Sequence, residues 1–249
     1  MPKSLDILGV RVDAVTKEEV EQEICRIIER KGHEYLANVN IHAINIAQRD
    51  TAFRRFLNLS PVVYCDGEGV RLAARLLGMN LPPRIVLTYW VWDLCALCAA
   101  KNFSVFLLGG SERSSKEAHR RLSERYPGLR LGFHHGYFEK IGPENDLVIE
   151  QVNGFQPDVL FVCFGMPLQE HWTERNFDRL RAKVMLFGGS TIEYTAGRKS
   201  VAPAWLSNNG GEWIYRLFQE PERLWKRYVL GNPVFLFRVL CQRFLGMRS

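Results

Sequence analysis

Nothing in this 249-residue sequence is apolar for long enough to span a bilayer, which takes roughly 20 consecutive apolar residues. The best candidates, "LTYWVWDLCALCAA" and "NPVFLFRVL", are interrupted by Asp93 and Arg238. The opening "MPKSLDILGVRVDAV" lacks the apolar block that follows a basic start in a secretory signal. A cytoplasmic protein without a spanning segment is expected. The dinucleotide fingerprint G-x-G-x-x-G is absent, as is the phosphate loop G-x-x-x-x-G-K-[ST], which argues against nicotinamide and kinase-type chemistry. No Asp-x-Asp pair offers a seat to a divalent metal. The six cysteines include a single C-x-x-C, Cys95 and Cys98. No second pair follows, no histidine is near, and the flanks "WVWDLCALCAA" are helical and apolar. Two small residues on a buried helix of a reduced chain explain them better than zinc or redox chemistry.

What the chain does contain is an ordinary globular composition, 47% hydrophobic and 24% charged, so disorder is not expected. The net charge of +6 is unevenly placed. From Glu212 onward there are seven Lys/Arg against three Glu, which puts +4 of the +6 in that segment. The same segment carries Trp213, Tyr215, Phe218, Trp225 and Tyr228. Such a mixture suits a closing core helix, a nucleic-acid arm, or a surface for something apolar and anionic.

Nearly continuous apolar runs at 34–40, 62–65, 104–110, 158–165 and 183–189 read as strands buried on both faces. Helical patterns lie between them, at 17–31, 41–58, 68–78, 90–101, 112–126, 144–154 and 168–181. Alternation of this kind predicts an α/β fold: a Rossmann-like, mostly parallel sheet with helices on both faces. The Pro/Gly-rich stretch 126–145 holds a short strand and loops. The pattern changes after Gly189, and three short helices are expected at 204–219, 221–230 and 233–246. The predicted organisation is a core over 1–195 and a C-terminal helical appendage over 196–249.

Ligands of open parallel sheets bind beyond the carboxyl ends of the strands. Those ends carry Asn38 and Asn40, Asp66 and Gly67, Gly109 and Gly110, Gly165 with Gln169, and Gly188 and Gly189. Asp66 reads equally as a general base beside a ligand or as a cap for the helix after it. The two Gly-Gly-Ser turns let backbone amides approach a phosphate, or are plain tight turns. Gln169 is suited to a sugar or pyrophosphate, whereas Glu170 is expected to pair at the surface. The dispersed histidines receive no role.

Seven blocks carry a resemblance to a known family: "NVNIHAINIA" (38–47), "CDGEGVRLAARLLG" (65–78), "PPRI" (82–85), "FLLGG" (106–110), "PDVLFVCFGMPLQEHW" (157–172), "LFGGSTIEYTAGRKSVAPAWL" (186–206) and "GGEWIYRLFQEPERLWKRY" (210–228). In order and over nearly the whole chain, they resemble the WecG/TagA/CpsF glycosyltransferases, family 26. The resemblance implies inverting transfer from a UDP-sugar to a polyprenyl-diphosphate-linked sugar at the inner face of the bacterial membrane, without a metal cofactor. It implies Asp66 as the base, Asn40 from the polar pair, Arg84, Gln169, and the appendage arginines Arg216 and Arg223 with Lys226 and Arg227 nearby. Asn38 departs from the family's usual Thr, and "LTYW" (87–90) departs from its Gly-x-Asp. The donor sugar type stays open among N-acetylmannosamine, its uronic acid and glucose, as does the surface glycan served.

On this reading Arg84, the glycine-loop amides and the tail arginines take the charge of the leaving UDP. The tail cations face a lipid diphosphate and an anionic bilayer; at about 1 kcal/mol each, four give roughly 4 kcal/mol, a peripheral and salt-sensitive attachment. Glu212, Glu220, Glu222 and the apolar "VFLFRVL" argue against nucleic acid as the partner. A homo-oligomer interface is the other use of the tail. Alternative readings are a nucleotide-dependent oxidoreductase and a non-catalytic nucleotide-binding protein at the membrane.

Overall fold

A strand covered on both faces calls for apolar residues at every position, and the central β5 (Val105–Gly109), β7 (Val159–Cys163) and β8 (Val184–Phe187) are buried throughout. The computed structural model describes residues 3–203, 205–206 and 210–246. The start of the helix expected over 204–219 falls partly outside these residues, as does Arg248. The three central strands join β3 (Glu34–Val39), β4 (Val63–Cys65) and β6 (Leu131–His134) in one parallel sheet of order β4-β3-β8-β7-β5-β6. Helices flank it, and the α/β Rossmann-like fold is as expected.

An N-terminal hairpin was not anticipated. β1 (Ser4–Ile7) and β2 (Val10–Asp13) pair antiparallel. Leu8 and Gly9 turn between them, both with positive φ.

The chain forms two compact units. The first gathers residues 1–16, 38–85 and 200–249; the second gathers 17–37 and 86–199. β3 runs through both, since its last two residues belong to the first unit.

In the first unit, the apolar pattern over 41–58 is two helices, α2 (Ile41–Ala47) and α3 (Thr51–Leu59). Asp50 divides them by accepting from the Phe53 amide at 2.9 Å as the cap of α3. After β4 comes α4 (Glu68–Leu76). The C-terminal segment forms α10 (Glu212–Gln219), α11 (Pro221–Trp225), a π-turn over Lys226–Leu230, and α12 (Gly231–Leu245). Phe235 and Val239 of α12 are fully buried. Gln242 ties the same helix to the hairpin, accepting from the Leu8 amide and donating to the Asp6 carbonyl, each at 3.0 Å. The C-terminal helices are therefore part of this unit's core, not a loose tail.

In the second unit, α1 (Lys17–Glu29), α5 (Leu87–Ala100), α6 (Glu112–Arg125), α7 (Pro143–Phe155), α8 (Leu168–Asn176) and α9 (Thr191–Thr195) alternate with the strands. Cys95 and Cys98 lie buried on α5, and burial pushes their thiols up, Cys95 to about 12. The "LTYW" departure forms the first turn of α5.

Candidate active site

Asp66 follows the short buried strand β4, and its amide donates to the Val39 carbonyl of β3 at 2.8 Å. The side chain is half-buried. Asn40 caps α2: its Oδ1 accepts from the Ala43 amide at 3.1 Å, and its Nδ2 donates to Asp66 Oδ2 at 3.1 Å. One amide thus closes a helix end and holds the carboxylate. Burial raises the Asp66 pKa to about 6, opposed by the Asn40 hydrogen bond and by the charges of Arg216 and Arg84; Glu212 adds to the rise. A carboxylate with that affinity is ionised at neutral pH and is a stronger base than an exposed aspartate.

The cations around it come from separate stretches of the first unit. Arg84 Nη1 lies 2.6 Å from Glu212 Oε2, and Arg84 Nε lies 3.6 Å from Glu68 Oε1. Arg216 Nη2 lies 2.8 Å from Glu212 Oε1. Arg71 completes the chain of charges through Glu68 at 2.9 Å. Arg227 is half-buried and feels both Asp66 and Arg216; burial lowers its pKa, and it stays cationic. Arg227 and Arg223, together with burial as the larger cause, bring His42 down to about 4, so this ring is neutral at neutral pH.

Of the residues marked in the sequence, Asn40, Asp66, Arg84, Arg216 and Arg227 are gathered here. Arg223 is more exposed and pairs with Glu220. Lys226 lies over the Trp225 ring at 5.6 Å, on the exposed side. Asn38 is 5% exposed, and its Oδ1 has no hydrogen-bond partner among the described residues. Glu212 was noted in the sequence only as an interruption of positive charge. It directly follows Gly210-Gly211 as the first residue of the helix that carries Arg216.

The second unit holds the glycine turns. Gln169 Oε1 accepts from the Gly165 amide at 3.0 Å and from the Gly189 amide at 3.1 Å, so one side chain ties the turns after β7 and β8 together. Gly189 has φ +54, a conformation that favours glycine. Gln169 Nε2 donates to Glu170 Oε1 at 2.8 Å. Glu170, expected at the surface, is 1% exposed, because the first turn of α8 faces inward. Burial raises its pKa to about 7, and its Oε2 has no hydrogen-bond partner among the described residues.

The turn after β5 is built differently. A Cβ on Gly109 would meet the Cys163 carbonyl oxygen at 2.4 Å, so only glycine fits there. The Ser111 amide donates to Glu193 Oε1 at 3.1 Å, and the Ser114 hydroxyl to Glu193 Oε2 at 2.6 Å. A carboxylate of the chain itself therefore sits at this helix start. No group of three or more His, Cys, Asp or Glu that could hold a metal ion occurs among the described residues.

The first unit thus holds a half-buried carboxylate within the field of Arg84, Arg216 and Arg227, and the second unit holds the glycine turns. The chain belongs to the glycosyl transferase WecG/TagA/CpsF family, which matches residues 5–249. Similar curated proteins come from Staphylococcus aureus strains MRSA252, MW2 and NCTC 8325. Each is an N-acetylglucosaminyldiphosphoundecaprenol N-acetyl-beta-D-mannosaminyltransferase, 28% identical over 239 residues, covering 94% of this chain and 91% of the relative.

Proposed function

We propose that this glycosyltransferase moves a sugar of the N-acetylmannosamine type from a UDP-sugar to a polyprenyl-diphosphate-linked sugar, with inversion to a β linkage, in bacterial surface-glycan assembly. The observation that carries the reading is Asp66, a carboxylate of raised proton affinity held by a neutral amide within the field of Arg84, Arg216 and Arg227. The relatives' name supports the choice of acceptor and transferred sugar.

In the reaction, an acceptor hydroxyl oxygen attacks the anomeric carbon and its proton passes to Asp66. The bond from that carbon to the UDP oxygen breaks, and the electron pair leaves with the diphosphate. Placed acid–base groups contribute roughly 10²–10⁴-fold to such steps. Arg84 and Arg216 take the charge developing on the diphosphate; Asn38, Arg223, Lys226 and Arg227 are assigned to the anionic substrates. Gly188 and Gly189, fixed through Gln169, and Gly109 and Gly110 are assigned to the donor. Occupied amides do not rank the two turns: Ser111 donates to Glu193, Gly189 to Gln169 and Gly188 to the Val162 carbonyl.

The reading includes attachment to the cytoplasmic membrane face. No helix of the described residues is long and apolar enough to cross a membrane. α12 buries Phe235 and Val239 while exposing Val234, Phe237, Leu240 and Phe244, and Leu230 extends the stripe by one turn. A helix docked by one face and apolar on the other, with Lys226 and Arg243 exposed beside it, suits a lipid interface.

The test is transfer from UDP-N-acetylmannosamine to a synthetic prenyl-diphosphate N-acetylglucosamine, with the product linkage determined. A β-linked disaccharide lipid is expected. No transfer from any of a panel of UDP-sugars would overturn the reading.

A further inference from the structure

Glu212 is 8% exposed and holds two guanidinium groups with one carboxylate, Arg84 at 2.6 Å and Arg216 at 2.8 Å. Buried ion pairs are poor stabilisers, because desolvation of both charges offsets their attraction, so a stability role explains little here. The consequence for Asp66 is more specific. A carboxylate beside two uncommitted arginines pairs with them, and its proton affinity falls by about one to three pH units. Asp66 instead takes its side-chain hydrogen bond from the neutral Asn40 amide. The groups that act on it electrostatically are Arg84, Arg216, Arg227, Glu212 and the Cys65 thiol. Two of the three cations are engaged by Glu212.

We propose that Glu212 is a positioning residue for the transfer reaction: it clamps Arg84 and Arg216 where they face a diphosphate, and keeps both from neutralising Asp66. The carboxylate acts as an internal counter-anion. It leaves the two guanidinium groups preorganised for an incoming diphosphate while the base beside them keeps its affinity for a proton. The proposal rests on the reading of Asp66 as base and deepens it, adding a residue that touches neither substrate in that scheme.

The test follows the Asp66 carboxyl directly by 13C NMR titration in the full-length protein, its signal assigned by loss in Asp66→Asn. The wild type is expected to titrate near 6. Glu212→Gln, which keeps the shape and removes the charge, is expected to titrate about one pH unit lower, because the negative charge that offsets Arg84 and Arg216 at Asp66 is gone. The acidic limb of its kcat/KM profile should move with it. Glu212→Asp keeps the charge on a shorter arm and is expected to hold the Asp66 midpoint near 6 while kcat/KM falls about tenfold, since one arm can no longer span both arginines. A folded Glu212→Gln protein with an unchanged Asp66 midpoint overturns the proposal. If Glu212→Gln does not fold, wild-type turnover in Glu212→Asp overturns it. A wild type without transferase activity refutes the proposed function instead, and the NMR titration still decides the role of Glu212.

Discussion

Replacing Glu170 by Gln should make the protein more stable, and only above a definite pH. Glu170 is 1% exposed, with one carboxyl oxygen accepting from Gln169 and the other without a hydrogen-bond partner among the described residues. Burial lifts its pKa from an ordinary 4.5 to about 7. Between those values the unfolded chain is ionised while the folded protein still holds the proton. The unfolded state then binds fewer protons, so stability falls as pH rises through this window and the loss is complete above about 7. At about 1.4 kcal/mol per pH unit, the full loss is about 3 kcal/mol. Glutamine keeps an acceptor for Gln169 and has no proton to lose. At pH 4.5 the two proteins should differ little, since both carry a neutral side chain. By pH 8 the variant should gain about 3 kcal/mol, or about 6–12 °C in Tm for a chain of this size. Asp66 has the same sign of linkage, but it is present in both proteins and cancels in the difference. Calorimetry from pH 4.5 to 8.5 measures it. A difference that stays flat with pH, or one that favours the wild type as pH rises, would refute the reasoning.

Asn40→Asp preserves a cap for α2 but places a like charge against Asp66, so it should cost about 1.4 kcal/mol of stability at neutral pH for each pH unit by which it raises the Asp66 midpoint. The acidic limb of kcat/KM should rise by about one pH unit or more, visible in a pH–rate profile. Phe237→Glu with Phe244→Glu alters only the exposed stripe of α12. Co-sedimentation with anionic vesicles should drop at least tenfold while Tm holds, and unchanged sedimentation would remove the lipid-facing role.

The central strands were legible because buried parallel strands must be apolar at every position, as β5, β7 and β8 are. The hairpin at the N-terminus was missed although Leu5/Ile7 and Val10/Val12 alternate around Leu8-Gly9. Asp50 was overlooked because the apolar spacing of α2 continues into α3, and only a cap distinguishes two helices from one. Asp66 was visible because glycine follows a strand end there. Glu170 was misplaced because a charged residue in a first helical turn is usually solvated, and only tertiary packing turns it inward. Glu212 was hidden for a different reason. Its partner Arg84 belongs to a distant part of the chain, and no local pattern announces a contact made by folding three separated segments into one unit. Because of the same grouping, deleting the C-terminal helices would strip Phe235 and Val239 from this unit's core.

The central claim is that Asp66 accepts the acceptor's proton, and the pH dependence of kcat/KM in wild type and Asp66→Asn tests it most directly. The wild type should show a single acidic limb with its midpoint near 6. Asp66→Asn should still bind UDP, lose the limb, and fall roughly 10²–10⁴-fold in rate. A folded Asp66→Asn enzyme that turns over at the wild-type rate, or that keeps the limb near 6, would contradict the assignment.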